Sequence, residues 1–231
     1  MNIRILHMIE GAKAARGIAV IIDVFRAFTV ETYLMRGGAA KIIPVGDVQI
    51  ARDYYASHPD AILCGERNGI TIEGFHYGNS PSALEHADLT GKTVIHTTSA
   101  GTQGIANAVN ADEIITGSLV NAKAIADYIR AKNPEEVSLV CMGLNAQKQT
   151  EEDNLCAYYI KSLLEGTPAP DWEKEIDILK HTSGAKFFDP ARNHIFPERD
   201  FHLSVQVDTV PFVLRLKHSP DGLHYIEKII P

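Results

Sequence analysis

The chain of 231 residues is 45% hydrophobic and 22% charged, and its 22 basic and 29 acidic residues give a formal net charge of -7. This length and composition predict one soluble α/β domain over 1–231 and exclude a disordered, coiled-coil or repeat protein. The negative charge argues against a nucleic-acid partner, and no apolar run is long enough to cross a membrane.

The first half of the chain alternates short apolar runs with helical patterns. The patterns predict strands at 2–8, 19–22, 41–45 and 61–64, and helices at 26–36 and 47–58. The run at 19–22 is apolar and β-branched without a polar face, which is typical of a strand buried on both sides of a sheet. Because strands that alternate with helices are usually parallel, we expect a mostly parallel sheet flanked by helices.

Asp23 ends the buried strand, and Arg26 follows it at the start of the next helix. An acid at this position lies at the carboxyl edge of a parallel sheet, where open α/β folds bind their ligands. The carboxylate and the guanidinium can neutralise each other as a structural ion pair, or they can hold a cation and an anion side by side. This stretch alone leaves both interpretations open.

A glycine-rich segment at 65–81 interrupts the alternation of strands and helices. A loop of this length inside a compact domain is either functional or disordered, and its apolar residues favour an ordered loop. It begins with Glu66 and Arg67 and ends with Asn79-Ser80-Pro81, where Ser80 is placed to cap a helix. The same placement exposes backbone N–H groups that can bind an oxyanion.

A hydroxyl-rich turn, Thr97-Thr98-Ser99-Ala100-Gly101-Thr102, separates a predicted strand at 92–96 from a predicted helix at 102–109. Many α/β proteins use such a turn to wrap backbone amides around a phosphate. The turn lacks the Gly-Lys-Ser/Thr end of a P-loop and the spacing of a dinucleotide fingerprint. An ordinary helix cap and turn has the same pattern.

The second half of the chain continues with strands predicted at 113–116 and 136–141 and with helices predicted at 118–132, 150–166 and 171–181. The second of these helices opens with Thr150-Glu151-Glu152-Asp153-Asn154. Three acids in the first turn are favoured by the helix dipole, with Thr150 as the cap. At the ligand edge of the sheet the same acids can also reach a cation.

The C-terminal part, 171–231, combines the helix at 171–181, an irregular stretch at 186–200 and strands predicted at 203–207, 211–217 and 224–229. The turn predicted at 219–222 makes the last two strands an antiparallel hairpin. We place this hairpin at an edge of the main sheet or as a flap on it, within one domain. A free hairpin edge that carries Phe212, Leu214 and Leu216 favours pairing with a second copy, as a homodimer.

Several short motifs occur in a fixed order between about 18 and 159. They are Asp23-Val24-Phe25-Arg26-Ala27, Gly65-Glu66-Arg67, Gly78-Asn79-Ser80-Pro81, Thr97-Thr98-Ser99 with Gly101-Thr102, and Glu152-Asp153. In this order and spacing the chain resembles the 2-phosphosulfolactate phosphatase family, the ComB-type enzymes of coenzyme M biosynthesis. The resemblance implies an α/β fold, a Mg2+ requirement and hydrolysis of the phosphate monoester of a small sulfonated hydroxy acid. Departures from the family pattern at Phe28, His76-Tyr77 and Ala100 leave room for a different phosphorylated acid as the substrate.

The resemblance and the chemistry of phosphate esters lead to a set of predicted roles. Three acids are assigned to Mg2+: Asp23, Glu152 and Asp153. Glu66 would orient a water or a ligand, while Arg26 and Arg67 would bind phosphate, sulfonate or carboxylate oxygens. The rest of the anion cradle is assigned to Asn79, Ser80, Thr97, Thr98, Ser99, Gly101 and Thr102. The attacking group is either a water bound by the metal or the carboxylate of Asp23, and the residues leave both open.

Other interpretations of the same residues are weighed against the enzyme. Cys64, Cys141 and Cys156 lack metal or CxxC spacing, so we expect reduced thiols in a cytoplasmic protein without zinc. Cys141 at a strand end is a rival nucleophile for a cysteine hydrolase, although a thiol in an apolar strand is usually inert. Phe25 stands where a haloacid dehalogenase has its second aspartate, which excludes that family. A non-catalytic binder of small phosphorylated acids is the alternative from another class, and retention of both acids and arginines favours the enzyme.

Overall fold

The computed structural model describes residues 1–219 and 222–231, and the strands in these ranges form one sheet. They are β1 (Asn2–His7), β2 (Ile18–Ile22), β3 (Lys41–Pro44), β4 (Ile62–Arg67), β5 (Ile70–Thr71), β6 (Thr93–Thr97), β7 (Glu113–Gly117), β8 (Glu136–Cys141), β9 (Val213–Lys217) and β10 (Tyr225–Ile229). Their order across the sheet is β1-β8-β2-β7-β9-β10-β3-β6-β4-β5. The predicted α/β fold with a mostly parallel sheet is confirmed.

The helices flank this sheet. They are α1 (Met8–Ala14), α2 (Ala27–Arg36), α3 (Val48–Ser57), α4 (Gly101–Asn107), α5 (Ala122–Lys132), α6 (Glu151–Glu165), α7 (Trp172–His181) and α8 (Glu198–Ser204). Helix α1 lies between the first two strands, in a stretch for which the sequence pattern predicted neither a helix nor a strand. Within 1–219 and 222–231, no helix combines the length and the apolar character that crossing a bilayer requires.

The sheet consists of two parallel halves. Strands β1, β8, β2 and β7 are parallel to one another, and so are β3, β6 and β4. The three antiparallel pairings between β7 and β3 make the two halves run in opposite senses locally. Twist of about 20–25° per strand pair accumulates across these steps and turns one half relative to the other. The loops after β2 and β6 meet, because Gly101 at the start of α4 packs against Ala27 at the start of α2.

The C-terminal hairpin β9–β10 lies in the middle of the sheet, so its predicted place at an edge or as a flap is wrong. β9 pairs with β7, and β10 pairs with β3 through Ile226 and Ile42. The physical reason is the apolar run of β9, because Val213 and Leu214 are fully buried and need cover on both sides. Both edges of the hairpin are paired within the chain. The homodimer was predicted from a free hairpin edge, so it stays a prediction that this hairpin does not support. The predicted turn at 219–222 includes Pro220 and Asp221, which lie outside the described residues.

Helix α2 lies between the two halves of the sheet, and every residue from Ala27 to Met35 is buried. Glu31, in its middle, is fully buried. The Oε1 atom of Glu31 lies 3.0 Å from Nδ1 of His96 in β6, and its Oε2 atom accepts a 3.0 Å hydrogen bond from Oγ1 of Thr116 in β7. Because β6 and β7 belong to different halves, this side chain connects both halves through α2.

The segment between α7 and β9 differs from the sequence expectation. Short 3-10 turns at Ala185–Phe188 and Pro190–Arg192 precede α8, and α8 occupies part of the strand predicted at 203–207. An apolar cluster that includes Phe187, Phe196 and Phe201 holds this segment in place. In this segment the packing of aromatic side chains determines the conformation, and the alternation of apolar and polar residues that predicted a strand at 203–207 does not.

Candidate active site

A cavity of about 320 Å³ opens at the carboxyl ends of strands from both halves of the sheet. Asp23 follows β2, Glu66 lies near the end of β4, and Ser99 follows β6. Helix α6 brings Glu152 to the same wall, and the loop after β5 brings Asn79. The volume is that of a site for a small metabolite. Segments far apart in the sequence thus meet at one cavity.

Asp23 is a buried carboxyl on the wall of this cavity. Its Oδ1 atom accepts a 3.2 Å hydrogen bond from the backbone N–H of Ala27. Burial is the main cause that raises the pKa of Asp23 to about 7; the bond from Ala27 opposes this shift, and the negative charges of Glu66 and Glu152 add to it. In the absence of a cation, the group therefore exchanges its proton near neutral pH, as a general acid or base does.

Glu66 connects two loops of the cavity wall. Its Oε1 atom accepts a 2.7 Å hydrogen bond from Ser99 N, and its Oε2 atom accepts bonds from Gly69 N at 2.6 Å and from Ser99 Oγ at 3.2 Å. Both carboxylate oxygens are thus occupied by protein donors. Glu66 fixes the turn after β4 to the hydroxyl-rich turn after β6, and its orientation of a water or a ligand stays a prediction.

Glu152 and Asp153 are neighbours in sequence but have different surroundings. Asp153 accepts 2.8 Å hydrogen bonds from Val24 N at Oδ1 and from Gly143 N at Oδ2, so it joins the loops after β2 and β8. Glu152 lies on the cavity wall, and within the described residues its Oε2 atom is buried without a hydrogen-bond partner. Burial raises the pKa of both carboxyls. Of the two, only Glu152 lies on the cavity wall and keeps a carboxylate oxygen without a hydrogen-bond partner among the described residues.

Arg26 is buried on the cavity wall and pairs with Asp200 of α8. Its Nη1 atom donates to Asp200 Oδ2 at 2.7 Å and to Ile195 O at 3.0 Å. The other oxygen of Asp200 accepts hydrogen bonds from Ser80 Oγ at 2.8 Å and from Ser82 N at 2.9 Å. The ion pair of Arg26 thus runs to the C-terminal segment, and the described residues contain no ion pair between Arg26 and Asp23.

Arg67 and Thr97 are predicted anion-binding residues that bind each other. The guanidinium of Arg67 donates to Thr97 Oγ1 at 2.8 Å, to Gly46 O at 3.1 Å and to Glu66 O at 2.6 Å. Consecutive residues of a strand point to opposite faces, which sends Arg67 away from the side chain of Glu66. These bonds use the donors that the sequence analysis had assigned to an anion.

Four further residues of the predicted cradle have contacts within the protein. Thr98 and Thr102 exchange backbone and hydroxyl hydrogen bonds of 3.0 to 3.2 Å at the start of α4, which is the ordinary cap described above. Ser80 binds Asp200 and precedes a single 3-10 turn at Ser82–Leu84, not the helix that was predicted. A Cβ at Gly101 would lie 3.1 Å from Oδ2 of Asp23, so this glycine allows a close approach to the acid. Of the cradle residues, Asn79 and Ser99 lie on the cavity wall.

The sequence analysis missed three cavity residues of the C-terminal segment: Lys186, Arg192 and Phe196. Lys186 lies near Glu152 and Asp23, and burial is the main cause that lowers its pKa. The only signal for these residues was the concentration of aromatic and charged residues in the irregular stretch at 186–200. That signal has no periodicity and no motif, so it could not place them at the site.

The cavity offers oxygen atoms of the kind that hard divalent cations prefer. The buried Oδ1 atom of Asn79 and Oε2 atom of Glu152 have no hydrogen-bond partner among residues 1–219 and 222–231. The carboxyl of Asp23 shares this wall. In the same ranges there is no group of three His, Cys, Asp or Glu side chains arranged to hold a metal ion. The donor set therefore fits an ion that takes one or two carboxylates and keeps other positions for water or phosphate.

Two residues with reactive side chains, Cys141 and His96, are buried in the core. Burial raises the pKa of the Cys141 thiol, and its Sγ atom donates to the carbonyl of Asp153 at 3.4 Å. A thiol that resists ionisation is a poor nucleophile, which argues against a cysteine hydrolase. His96, at the end of the strand before the hydroxyl-rich turn, is fully buried against Glu31.

The chain matches the family model described as 2-phosphosulpholactate phosphatase over residues 4–219. It is 31% identical over 219 residues to a Bacillus subtilis protein named probable 2-phosphosulfolactate phosphatase, and the match covers 94% of each chain. A protein of the same name from Caldicellulosiruptor saccharolyticus is 39% identical over 73% of this chain and 71% of its own length. A third, from Carboxydothermus hydrogenoformans, is 42% identical over 71% of this chain and 68% of its own. These matches confirm the resemblance drawn from the short motifs.

Proposed function

The chain belongs to the 2-phosphosulpholactate phosphatase family, and from this premise we propose that it hydrolyses the phosphate monoester of 2-phosphosulfolactate or a close analogue. The products would be sulfolactate and phosphate. A role in coenzyme M biosynthesis and a cytoplasmic location are implied by the family resemblance and stay predictions.

One observation carries the proposal: acidic and amide groups, two of them with a buried unpartnered oxygen, line one small cavity together with two cationic side chains. Asp23, Glu152 and Asn79 supply the oxygens, and Arg26 and Lys186 supply the charges. Hydrolysis of a phosphate monoester needs the phosphoryl charge neutralised and the attacking group aligned, with little other chemistry from the protein. The cavity contains groups suited to both tasks.

We include Mg2+ in the proposal as the cofactor. Asp23, Glu152 and the amide oxygen of Asn79 would hold it, because two of these groups have buried oxygens without partners within the described part of the chain. When bound, the ion would supply positive charge that neutralises phosphoryl oxygens and lowers the pKa of its acid ligands. Asp153 would not bind the ion directly, since both of its oxygens already accept backbone hydrogen bonds. It would instead hold in place the loops after β2 and β8 that border the cavity.

The protein's own groups account for the rest of the chemistry. The pair with Asp200 fixes the position of Arg26, so its positive charge is already oriented when substrate enters. Lys186 adds a second positive charge beside Glu152. When ionised, Asp23 can accept a proton from an attacking water or attack phosphorus itself, and the proposal includes both routes. Phe25 and Phe196 cover part of the cavity wall with apolar surface, which limits access of bulk water.

Phosphate release from 2-phosphosulfolactate, measured with Mg2+ and after removal of Mg2+ by a chelator, tests the proposal. We expect turnover that is lost with the chelator and restored by added Mg2+. A Cys141→Ser variant serves as the control for the thiol route and should keep its turnover. Binding of the ester without phosphate release would instead indicate a non-catalytic binder, and loss of turnover in Cys141→Ser would indicate a cysteine hydrolase.

A further inference from the structure

Three cations lie over one aromatic ring in the cavity. The centroid of Phe196 is 4.9 Å from Cζ of Arg26, 5.4 Å from Nζ of Lys186 and 4.6 Å from Cζ of Arg192. All four residues line the cavity. Cation–π contact stabilises each charge modestly, but the three like charges repel one another across a short distance. The cluster therefore favours a bound anion.

The three cations differ in the partners that the protein gives them. Arg26 forms an ion pair with Asp200, whose two oxygens both accept hydrogen bonds. Across residues 1–219 and 222–231, the side chains of Lys186 and Arg192 form no ion pair within 4.0 Å and donate no hydrogen bond. Lys186 is half-buried and lies near the acids Glu152 and Asp23, which places it at the phosphoryl end of the cavity. Arg192 is exposed and lies on the same wall, so its donors are free for a second group.

An exposed arginine stacked on a phenylalanine is often only a solvated surface residue. Two features set Arg192 apart from that case. It forms part of the cavity wall, and it shares the ring of Phe196 with Arg26 and Lys186, the two cations that the proposed function assigns to the phosphoryl group. One small molecule with a phosphate and a second acid group on adjacent carbons can therefore reach both ends of the cluster.

We propose that Arg192 is the specificity-determining residue for a second acid group, binding the carboxylate or sulfonate of a small phosphorylated acid while its phosphate lies near Lys186. The planar guanidinium can bind either group through two parallel hydrogen bonds. The inference rests on the proposed phosphatase function and deepens it. It assigns the selection of acidic esters to the C-terminal segment, not to the motifs that carry the family resemblance.

Two substrates separate this role from a general effect on activity: 2-phosphosulfolactate, and isopropyl phosphate, which has no second acid group. In an Arg192→Gln variant we expect the ratio of kcat/KM for the first ester to that for the second to fall at least tenfold, through KM. Arg192→Lys should recover part of the ratio, because it keeps the charge without the planar fork. Arg199→Gln is the matched control, since Arg199 is an exposed arginine paired with Glu85 and should keep the ratio. An unchanged ratio in Arg192→Gln would overturn the inference.

Calorimetric binding of sulfolactate, which carries both acid groups but no phosphate, gives a measurement that does not depend on turnover. We expect Arg192→Gln to bind it at least tenfold more weakly than the wild type. If the wild type releases no phosphate but binds sulfolactate in this Arg192-dependent way, the proposed function fails while the acid subsite stands. If both proteins hydrolyse the ester and bind sulfolactate equally, the subsite is wrong and the phosphatase stands. Arg192 is exposed, so both variants should fold, and thermal unfolding checks this.

Discussion

Two buried glutamates are treated in opposite ways by their surroundings. Glu31, in the middle of α2, is fully buried, and each of its oxygens has a partner, His96 or Thr116. Glu152, at the start of α6, is 3% exposed, and its Oε2 atom has no partner in the part of the chain that the structure describes. A desolvated carboxylate without a partner costs free energy. The comparison teaches that the acid with two partners connects the halves of the fold, while the acid with an unpartnered oxygen is the one we propose as a ligand of the cation.

Replacing Asp23, which shares the cavity wall with Glu152, has the largest expected effect. We expect Asp23→Asn to lower kcat for phosphate release at least about 10³-fold, or about 4 kcal/mol in the activation barrier, because it removes the ionisable carboxyl. Initial rates of phosphate release at saturating Mg2+ measure this. Asp53→Asn, at an exposed aspartate of α3, is the control. Turnover near the wild-type level in Asp23→Asn would show that this carboxyl takes no part in the reaction, and the contrast between cavity acids and core acids would then lose its functional meaning.

The same substitution should change stability in a pH-dependent way when divalent cations are removed. The pKa of Asp23 is raised from 3.8 to about 7 in the folded protein, so its ionisation favours the unfolded state. The contribution of protonated Asp23 to the free energy of unfolding is therefore present below about pH 4 and is lost as the pH rises to about 7. Asp23→Asn should match the wild type at pH 4 and exceed it at pH 8 by at most about 4 kcal/mol. Denaturant unfolding at several pH values measures the difference, and a gain that is constant with pH would contradict this assignment.

Glu31 provides the opposite test. Glu31→Gln leaves His96 or Thr116 with a poorer partner inside the core, so we expect a loss of roughly 1–3 kcal/mol in the free energy of unfolding. Turnover of the remaining folded protein should be retained, because Glu31 lies away from the cavity wall. Unfolding curves and activity assays on the same preparation measure both quantities. A large loss of turnover with unchanged stability would mean that the core acid also serves the reaction.

The smallest expected effect concerns the binding of the cation by Glu152. We expect Glu152→Gln to weaken Mg2+ binding at least about tenfold, or about 1.4 kcal/mol, because one carboxylate ligand is lost. Titration calorimetry with Mg2+ measures the affinity without any need for turnover. Glu151→Gln is a closely matched control, since Glu151 is the preceding residue and is exposed. Equal affinities in the two variants would show that the unpartnered oxygen of Glu152 does not bind the ion.

The sequence predicted the parts of the fold that have a clear hydrophobic periodicity or are bounded by residues that end helices and strands. The buried strand before Asp23 and the helix from Ala27 to Arg36 were found because apolar runs and the Gly37-Gly38 pair delimit them. The convergence of Asp23, Glu66 and Glu152 followed from their positions at strand or helix ends. Local patterns were sufficient wherever the chain itself decides the structure.

The rest depends on contacts that no local pattern encodes. Arg67 stands beside Glu66 in sequence, but strand geometry turns the two side chains to opposite faces. Asp200, Lys186 and Arg192 reach the site through the packing of an aromatic cluster and carry no motif. Three of the missed site residues therefore come from the segment whose conformation is set by tertiary contacts.

The central position of β9–β10 has a consequence for how the chain assembles. These two strands lie between β7 and β3, yet they are the last strands along the described chain. During synthesis, the halves that β7 and β3 border exist before the segment that joins them, so both strands have an open edge until residues 213–229 leave the ribosome. Such late, long-range closure slows folding and exposes strand edges to aggregation. A nascent chain of this protein would gain from a chaperone until its last strands are in place.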